Sequence, residues 1–322
     1  VAFESAIVAT GSAPIRPPIP GIDSPRCVDS TGLLAQTVVP RRLVILGGGI
    51  IGCEFASIFN RFGTEVTIVE MLPSLIPTED EDAGKELEKA FKKRGLALHL
   101  SKQCTQVDDH GEHLTVHVGE GETVDCDLML VSVGRAALVE GFGLEAAGVT
   151  YDRKGIGTDD HRRTNVPHIY AAGDVSGKLP LSSVASMQGR KVAEHVMGLH
   201  TREHRHLDYD KAASAIFTEP EIADVGLAEA EAFALGRKIR VTKVPFAANA
   251  RAVIDGDPRG FVKIVSDPAT GVVLGGSIVG RGAAELISVI ALAVTANLKV
   301  TDIVESLMVH PALAEALADA AE

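Results

Sequence analysis

The sequence predicts a chain of α/β and α+β class, in which a doubly wound parallel sheet with a β-meander precedes an α+β region built on an antiparallel sheet. Two observations predict this class. Residues 43–70 read as an apolar run, closely spaced glycines, a helix-like segment, a second apolar run and an acid, which is the order of a βαβ unit. After Tyr209, apolar runs are separated by turn-forming residues such as DPATG at 267–271, which indicates antiparallel strands.

The predicted elements follow from apolar periodicity and from prolines and glycines. An opening strand before Thr10 leads into a stiff segment with prolines at 14, 17, 18 and 20, because proline fixes φ and disfavours helix before it. The next predicted elements are strand Leu43–Leu46, helix Ile50–Phe62, strand Glu65–Glu70, helix Glu79–Arg94, and strands Leu96–Leu100, His113–Val118 and Leu128–Val133 closing one sheet. The later ones are helix Leu181–Leu199, strands Ala215–Phe217, Ile239–Val244, Phe261–Val265 and Val272–Val279, and helices Ala283–Ala296 and Thr301–Val309.

Composition excludes several classes of protein. The 322 residues are 46% hydrophobic, enough for two or three domains with sizeable cores. A formal net charge of −12 without a long basic run argues against nucleic acid or an acidic membrane surface as partner, and no apolar run approaches the ~20 residues of a membrane span. The cysteines show no metal-ligand spacing, so we expect no metal site and a reducing, cytoplasmic location.

The glycines at 47, 49 and 52 have the G-x-G-x-x-G spacing of a dinucleotide-binding turn. Gly47 permits the tight turn from strand to helix, Gly49 lets a pyrophosphate approach the backbone, and Gly52 lets the helix pack on the strand. Glu70 ends the second strand, where a carboxylate accepts hydrogen bonds from ribose hydroxyls and repels a 2′-phosphate. The alternative is a glycine-rich turn in an unrelated α/β protein. The flanking strand, helix and acid favour NAD binding in a Rossmann-like domain.

Six motifs stand in order along the chain. They are ATGS (9–12), GGGIIGCE (47–54), VSVGR (131–135), TNVPHIYAAGDV (164–175), FTEPEIADVGL (217–227) and HPALAE (310–315). This combination resembles the class I pyridine-nucleotide disulfide oxidoreductases, and among them the dihydrolipoamide dehydrogenases. The resemblance covers essentially the whole chain. It implies a homodimeric flavoprotein that uses FAD and NAD.

The resemblance also implies four parts: the terminal edge of an FAD domain at 1–13, an NAD-binding domain at 14–135, a central domain that completes the FAD site at 136–206, and a dimer interface domain at 207–322. The first would be the remnant of a second Rossmann-like domain. The family's opening G-x-G-x-x-G and its redox-active cysteine pair are not found before ATGS. We therefore expect the N-terminal part of the FAD domain to be missing and this chain alone to be inactive.

Cofactor-binding residues are carried over from the family by motif. Thr10, Gly11 and Ser12 match a turn that approaches the flavin, and Asp174 after Gly173 matches the aspartate that binds its ribityl chain. The other residues implied are Gly47, Gly48, Gly49, Ile50, Ile51, Gly52, Glu54 and Glu70 for NAD, Cys104 near adenine, Gly134 and Arg135 between NAD and flavin, and Leu181, Ser182 and Ser183 near the flavin. Without the resemblance, Asp174 is a common cap, Glu54 a carboxylate favoured by the helix dipole, and Cys104 a buried apolar residue.

His310 and Glu315 are the predicted catalytic residues. In the family that the chain resembles, such a histidine is held by this glutamate, reaches across the dimer and acts as general base toward a dihydrolipoyl thiol. The chemistry is sound, because imidazole takes a proton at neutral pH and the thiolate, not the thiol, attacks a disulfide. From sequence alone, without the resemblance, we would interpret a histidine before a proline at the end of a helix as a surface cap.

The function that the resemblance implies is oxidation of dihydrolipoyl thiols to the disulfide, with NAD⁺ as acceptor via FAD. The partner would be the lipoyl group of a 2-oxo acid dehydrogenase or glycine cleavage complex. Two departures weaken this interpretation: Ala312 and Ala314 replace the family's usual hydroxyl residues, and Ser182-Ser183 replaces its Ala-His pair. An NAD(P)H quinone reductase or nicotinamide transhydrogenase of the same fold is one alternative. A non-catalytic NAD-binding and dimerisation fragment is the other.

Overall fold

The structure, a computed structural model, describes residues 2–199 and 207–322. The chain forms two compact units, which are described separately. The small unit comprises Val1–Ile15 and Gly134–Tyr209, and the large unit comprises Arg16–Val133 and Asp210–Glu322. The four-part division remains a prediction, and its boundary at residue 206 falls in the segment 200–206, outside the described residues.

The elements are named in chain order. In the described part of the chain, the strands are β1 (Ala6–Val8), β2 (Ser12–Pro14), β3 (Cys27–Val28), β4 (Arg42–Leu46), β5 (Glu65–Val69), β6 (Ala97–His99), β7 (Cys104–Asp109), β8 (Leu114–Val118), β9 (Glu122–Cys126), β10 (Leu128–Val131), β11 (Arg135–Ala137), β12 (Tyr151–Asp152), β13 (Gly155–Ile156), β14 (Ile169–Ala171), β15 (Ser214–Ile216), β16 (Ile222–Gly226), β17 (Arg240–Pro245), β18 (Phe261–Ser266) and β19 (Val273–Val279). The helices are α1 (Ser30–Leu34), α2 (Ile50–Arg61), α3 (Glu81–Lys93), α4 (Ser182–Val196), α5 (Glu229–Ala234), α6 (Ala250–Ile254), α7 (Ala283–Ala296), α8 (Val300–Val304) and α9 (Glu315–Ala321). Single 3-10 turns occupy Asp174–Ser176, Tyr209–Lys211 and Phe246–Ala248.

The small unit consists of short strand pairs and one long helix. β1 runs parallel to β14, and β2 runs antiparallel to β11. Strands β12 and β13 form a hairpin, and α4 follows the 3-10 turn that begins at Asp174. Its core is formed by Val139, Leu144, Val149, Ile156, Ile169, Ala171 and Val175. The predicted opening strand and the predicted helix after Leu181 are both present.

A five-stranded parallel sheet, in the order β3-β10-β4-β5-β6, forms one half of the large unit. Helix α2 connects β4 to β5 and α3 connects β5 to β6, since parallel neighbours need a crossover. Fully buried Ile45 and Ile68 of the sheet share one core with Phe91 of α3. The ends of β4, α2, β5 and α3 agree with the predicted ends to within two residues.

The prediction that His113–Val118 belongs to that sheet is wrong. β8 instead pairs with β7 and β9 in a separate three-stranded antiparallel sheet, which is the β-meander expected here. Its alternate residues Leu114, Val116 and Val118 are buried in one apolar cluster with Met129 of β10. Alternation predicts a strand, but pairing with neighbours close in the chain decides which sheet it joins.

A five-stranded antiparallel sheet, in the order β15-β16-β19-β18-β17, forms the other half of the large unit. Val262, Ile264 and Ile278 of this sheet share an apolar cluster with α7 and α9. Helix α7 has the predicted ends and buries Ile287 and Ile290 in the same cluster. β16 was not predicted, because EIADVG lacks a clear alternation of apolar and polar residues.

The prediction of a helix over Thr301–Val309 is wrong in its second half. α8 ends at Val304, and residues 305–314 form a loop before α9. Leu307 and Val309 are exposed, so the apolar run that predicted the helix does not bury one face. His310 therefore lies in this loop and not at a helix end, in keeping with the restriction that a proline places on the residue before it.

Several further properties concern the chain as described. None of its helices in residues 2–199 and 207–322 is long and apolar enough to cross a membrane. The four cysteines are free and buried, and burial raises the pKa of the Cys27 thiol to about 11. Within the same residues, no group of three or more His, Cys, Asp or Glu side chains is placed to hold a metal ion.

A row of polar side chains crosses one face of the antiparallel sheet. Its members are cross-strand partners in sequence from β15 to β17: Ser214, Asp224, Ser277, Lys263 and Lys243. Directly opposite residues share a face, so these side chains lie on one side of the sheet. On that side, the Asp80 carboxylate before α3 accepts from Lys263 Nζ at 2.8 and 3.0 Å. The row thus joins this sheet to α3.

Asp224→Asn is expected to stabilise the protein at neutral and alkaline pH. Burial raises the pKa of the Asp224 carboxyl to about 8, and the Glu79 carboxylate adds to the rise. Because this pKa is above the unfolded value, the group's contribution is complete below about pH 4 and is lost as the pH rises through the folded pKa. Asparagine does not titrate, so the variant should gain about 1–3 kcal/mol at high pH and little near pH 4.

Urea unfolding across this pH range measures the gain. The exposed Asp319 on α9 offers a control, because Asp319→Asn removes a carboxylate without a buried environment. A difference between Asp224→Asn and wild type that is the same at every pH would contradict the prediction.

Candidate functional site

Glycines build the turn between β4 and α2. Gly47 has a φ of 106°, a conformation that side chains rarely adopt. A Cβ at Gly52 would lie 2.0 Å from the Gly47 carbonyl oxygen, so only glycine lets α2 approach the turn this closely. Gly49 is the N-cap of α2, and a Cβ there would have no neighbouring atom of the described residues within 4 Å. The turn is therefore tight on its inner side and open on its outer side.

The open side of the turn fits the pyrophosphate of NAD. The backbone N–H groups of Ile50 and Ile51, in the first turn of α2, have no acceptor within the helix, and the helix dipole adds a partial positive charge there. The N-cap, Gly49, has no side chain to satisfy them. A helix start with free N–H groups and space in front of them is a common phosphate site.

Glu70 follows β5 and faces the glycine turn. Its Oε2 accepts from the Gly48 N–H at 2.6 Å, and its Oε1 accepts from the Leu72 N–H at 2.7 Å. The two backbone donors hold the carboxylate beside the turn, where the sequence predicts a ribose-binding acid. Its contact with the ribose stays a prediction.

Glu54 and Cys104 lie at different places in the large unit. Glu54 is in the second turn of α2, and its Oε1 accepts from the Phe217 backbone N–H at 2.9 Å, which brings the GGGIIGCE and FTEPE motifs together. Cys104 begins β7 and is buried in one apolar cluster with Cys27 and Cys126. Burial raises the pKa of the Cys104 thiol. The contact of Cys104 with adenine remains a prediction.

Ser12, Asp174 and Arg135 form one hydrogen-bonded group in the small unit. The Ser12 hydroxyl donates to Asp174 Oδ2 at 2.5 Å, and Arg135 donates to the Ser12 hydroxyl at 2.7 Å and to its carbonyl at 2.6 Å. Beside them, Gly11 has a φ of 75°, and Thr10 donates to a backbone carbonyl at 2.7 Å. The half-buried Asp174 carboxylate has acceptor capacity beyond this one hydroxyl, which fits the hydroxyl-bearing ribityl chain of FAD.

The remaining predicted flavin residues lie at the ends of elements. Gly134 has a φ of 128°. Arg135 follows it directly and is the first residue of β11. Leu181 is the N-cap of α4. Ser182 and Ser183 are exposed in the first turn of that helix.

His310 and Glu315 lie together in the large unit. The distance from His310 Nδ1 to Glu315 Oε1 is 2.8 Å, and the His310 side chain is 74% exposed. Glu315 begins α9, and its Oε2 accepts from the Ala312 N–H at 2.9 Å. The Ala312 N–H, and then the imidazole, hold the pKa of Glu315 below its usual value. The result is an exposed imidazole oriented by an ionised carboxylate.

Gln188 was not among the residues predicted from the sequence. This residue is 0% exposed and lies on α4 between Val184 and Val192, the other residues of its buried face. Its Oε1 accepts from the Gly173 N–H at 2.7 Å, directly before Asp174. A glutamine inside an apolar stripe at a spacing of four is a signal that was present in the sequence, because a buried amide needs partners.

The structure thus assembles two groups of predicted residues, each within its own unit. Comparison with protein families matches residues 1–189 to pyridine nucleotide-disulphide oxidoreductase and residues 212–321 to the dimerisation domain of the same enzymes. This chain belongs to the pyridine nucleotide-disulphide oxidoreductase family. The resemblance carried by the six motifs is confirmed.

Individual relatives are similar over almost the whole chain. The dihydrolipoyl dehydrogenase of Mycobacterium tuberculosis is 40% identical, with 98% of this chain and 68% of that protein covered. The dihydrolipoyl dehydrogenases of Chlamydia trachomatis and Bacillus subtilis are 41% and 37% identical, with 98% and 99% of this chain and 68% of each relative covered.

Solved structures show the same similarity. LpdA from Mycobacterium tuberculosis superposes with a TM-score of 0.91 at 34% identity, covering 98% of this chain and 68% of that one. The HOCl-induced flavoprotein disulfide reductase RclA from Escherichia coli gives a TM-score of 0.91 at 31% identity, covering 99% and 73%. The predicted fold class is confirmed, and so are the cofactors, since members of the family use FAD and NAD. The chain is a flavoprotein oxidoreductase similar to dihydrolipoyl dehydrogenases.

Proposed function

We propose that the protein oxidises dihydrolipoyl thiols to the disulfide, with FAD as electron carrier and NAD⁺ as acceptor. The observation that carries the proposal is the exposed His310 imidazole held by Glu315. A base of this kind serves a substrate that arrives as a thiol and reacts as a thiolate. The 37–41% identity to dihydrolipoyl dehydrogenases supports the same substrate.

Glu315 sets the tautomer of His310. With Nδ1–H donating to Glu315 Oε1, the lone pair of Nε2 takes the thiol proton, and the ionised Glu315 stabilises the imidazolium. The resulting thiolate attacks one sulfur of a disulfide, so that a mixed disulfide forms and the second enzyme sulfur leaves as thiolate. The second substrate thiol then passes its proton to the enzyme thiolate already released, closes the lipoyl ring and expels the first enzyme sulfur, which takes back the proton held by His310. The substrate is oxidised by two electrons and the enzyme disulfide is reduced to a dithiol.

The four cysteines of this chain do not supply that disulfide. All are buried, and burial raises the pKa of Cys126 to about 12, which leaves its thiol unreactive. The proposal therefore requires a further cysteine pair. When bound, FAD supplies two-electron transfer between such a dithiol and a nicotinamide. We place this further pair outside the 322 residues of this sequence, on the other subunit of a homodimer. The His310 side chain is exposed, so it is accessible to a disulfide of that subunit.

The cofactor-binding groups complete the proposal. The N–H groups at the start of α2 bind the pyrophosphate of NAD, and Glu70 binds the ribose and excludes a 2′-phosphate. Ser12 and Asp174 bind the ribityl chain of FAD. We also propose the division of the chain into four domains that end at residues 13, 135, 206 and 322. The proposed location is the cytoplasm. The proposed partner is the lipoyl group of a 2-oxo acid dehydrogenase or glycine cleavage complex.

An anaerobic titration of the holoenzyme with dihydrolipoamide and NAD⁺ tests the proposal. Rapid flavin reduction with formation of NADH is the expected result.

The exposed Ser182 and Ser183, in place of the family's Ala-His pair, favour a second candidate function, that of an NAD(P)H quinone reductase or transhydrogenase. A flavin that dihydrolipoamide leaves oxidised while NADH reduces it would replace the first function with the second.

A further inference from the structure

The Gly173–Asp174 turn is held from behind by Gln188. The Gln188 side chain is 0% exposed, its Oε1 accepts from the Gly173 N–H at 2.7 Å, and its Nε2 donates to the Tyr209 hydroxyl at 2.8 Å. A backbone N–H only donates, so the amide oxygen has to face Gly173 and the amide nitrogen has to face Tyr209. The partners therefore determine the orientation of the amide.

Arg162 joins the same hydrogen-bond network, which runs from Gly173 through Gln188 to the Tyr209 hydroxyl. It is 3% exposed, and its Nη1 donates to the Tyr209 hydroxyl at 2.6 Å. Its φ is 66°, a strained conformation for a residue with a side chain, which persists only where the surroundings determine it. In that conformation its carbonyl accepts from the Ala171 N–H at 3.0 Å, at the end of β14 and two residues before Gly173. Arg162 and Gln188 thus fix the backbone on both sides of Ala172.

Asp174 depends on this backbone. Gly173 has a φ of 78°, a conformation that residues with a side chain rarely adopt, and it directly precedes Asp174. The side-chain carbonyl oxygen of Gln188 accepts from the Gly173 N–H and so holds the peptide between Ala172 and Gly173, the Gly173 peptide, in place. The carboxylate of Asp174 then points to the Ser12 hydroxyl at 2.5 Å. A rotation of the Gly173 peptide would turn the carboxylate away from Ser12.

We infer that Gln188 is a positioning residue for the flavin, which acts by fixing the Gly173 peptide and thereby the direction of Asp174. Tyr209 and Arg162 keep its amide in the required orientation. The inference rests on the proposed assignment of Ser12 and Asp174 to FAD. It adds to that assignment a residue that belongs to none of the six motifs.

The test is the FAD dissociation constant of the apoprotein prepared from the holoenzyme, measured by flavin fluorescence on reconstitution. Gln188→Met keeps the length of the side chain and removes the acceptor, and we expect FAD to bind about tenfold more weakly. Gln188→Glu keeps an oxygen facing Gly173 and should restore the affinity. Tyr209→Phe, which keeps the ring, should weaken FAD binding in the same direction by a smaller factor.

Thr164→Val is the matched control. Thr164 is 8% exposed in the same unit, and its hydroxyl donates to the Val166 carbonyl at 3.1 Å, so the variant loses a buried hydrogen bond outside this network. We expect its FAD affinity to equal that of the wild type, with urea unfolding of each apoprotein reporting stability separately. Wild-type affinity in Gln188→Met, or equal weakening in Thr164→Val, would overturn the inference.

Asp174→Ala separates this inference from the proposed function. If Asp174→Ala leaves FAD binding unchanged, the assignment of Asp174 to the flavin fails, and the inference fails with it. If Asp174→Ala weakens FAD binding while Gln188→Met does not, the assignment stands and only the positioning role of Gln188 is overturned.

Discussion

Replacing His310 with glutamine is expected to lower kcat for dihydrolipoamide oxidation by about 10²–10⁴-fold, the typical contribution of a general base. Glutamine keeps a neutral polar side chain of similar length, but it takes no proton from a thiol at neutral pH. The His310 side chain is 74% exposed and lies in a loop, so little loss of stability is expected. The measurement is steady-state kcat with dihydrolipoamide and NAD⁺ on holoenzymes of equal FAD content.

His117 provides the control for this substitution. Its Nε2 lies 2.7 Å from Asp108 Oδ2, so it forms another histidine–carboxylate pair, half-buried, on the β-meander. His117→Gln should leave kcat unchanged. Glu315→Gln should lower kcat less than His310→Gln, because the base remains while the charge that stabilises the imidazolium is lost. A His310→Gln variant that keeps the wild-type kcat would remove His310 from the mechanism.

Replacing Lys263 with methionine is expected to lower the free energy of unfolding by about 3–5 kcal/mol, the usual cost of removing one partner of a buried ion pair. The Lys263 side chain is 3% exposed and its ammonium lies 2.8 Å from Asp80 and 2.7 Å from Asp82. Burial alone would lower the pKa of Lys263, but hydrogen bonds to these carboxylates raise it above its usual value. Methionine fills the space and leaves the Asp80 carboxylate buried and unpaired.

Urea unfolding of the wild type and Lys263→Met measures this loss. Lys243→Met is the matched control, since Lys243 binds the same Asp82 at 2.9 Å but is 43% exposed, and its loss should stay below about 1 kcal/mol. The double variant Lys263→Met with Asp80→Asn should regain part of the stability, because the unpaired charge is removed. Equal losses in Lys263→Met and Lys243→Met would show that burial of this ion pair contributes nothing.

Segments whose conformation depends on their own residues were predictable from sequence. The turn at 267–271 connects antiparallel β18 and β19 as predicted, because Asp267 Oδ1 accepts from the Ala269 and Thr270 N–H groups within the same turn. Helix α7 has the predicted ends for a related reason: Asn297, which follows it, adopts a left-handed conformation that ends the helix.

Segments whose secondary structure depends on partners far away in the chain were not predicted, or were predicted with the wrong bounds. β16 is a strand because it lies between β15 and β19, and its own residues do not alternate clearly. α9 has seven residues, too few for a helical period to stand out, and it is held by the burial of Ala316, Leu317 and Ala320 against the antiparallel sheet. Leu307 and Val309 belong to the apolar run that predicted a longer helix, but both side chains are exposed.

The sequence by itself predicted the fold class and an NAD site, because glycine spacing and strand periodicity are local properties. Its six short motifs carried the resemblance to the family, and that resemblance implied FAD and the pairing of His310 with Glu315. Only the tertiary structure decided which polar groups are buried together. Gln188 meets Tyr209 across 21 residues, and Lys263 meets Asp80 across 183. The spacing of Gln188 within an apolar stripe signals that it is buried, but the choice of its hydrogen-bond partner depends on contacts between segments far apart in the chain, and no local pattern encodes those contacts.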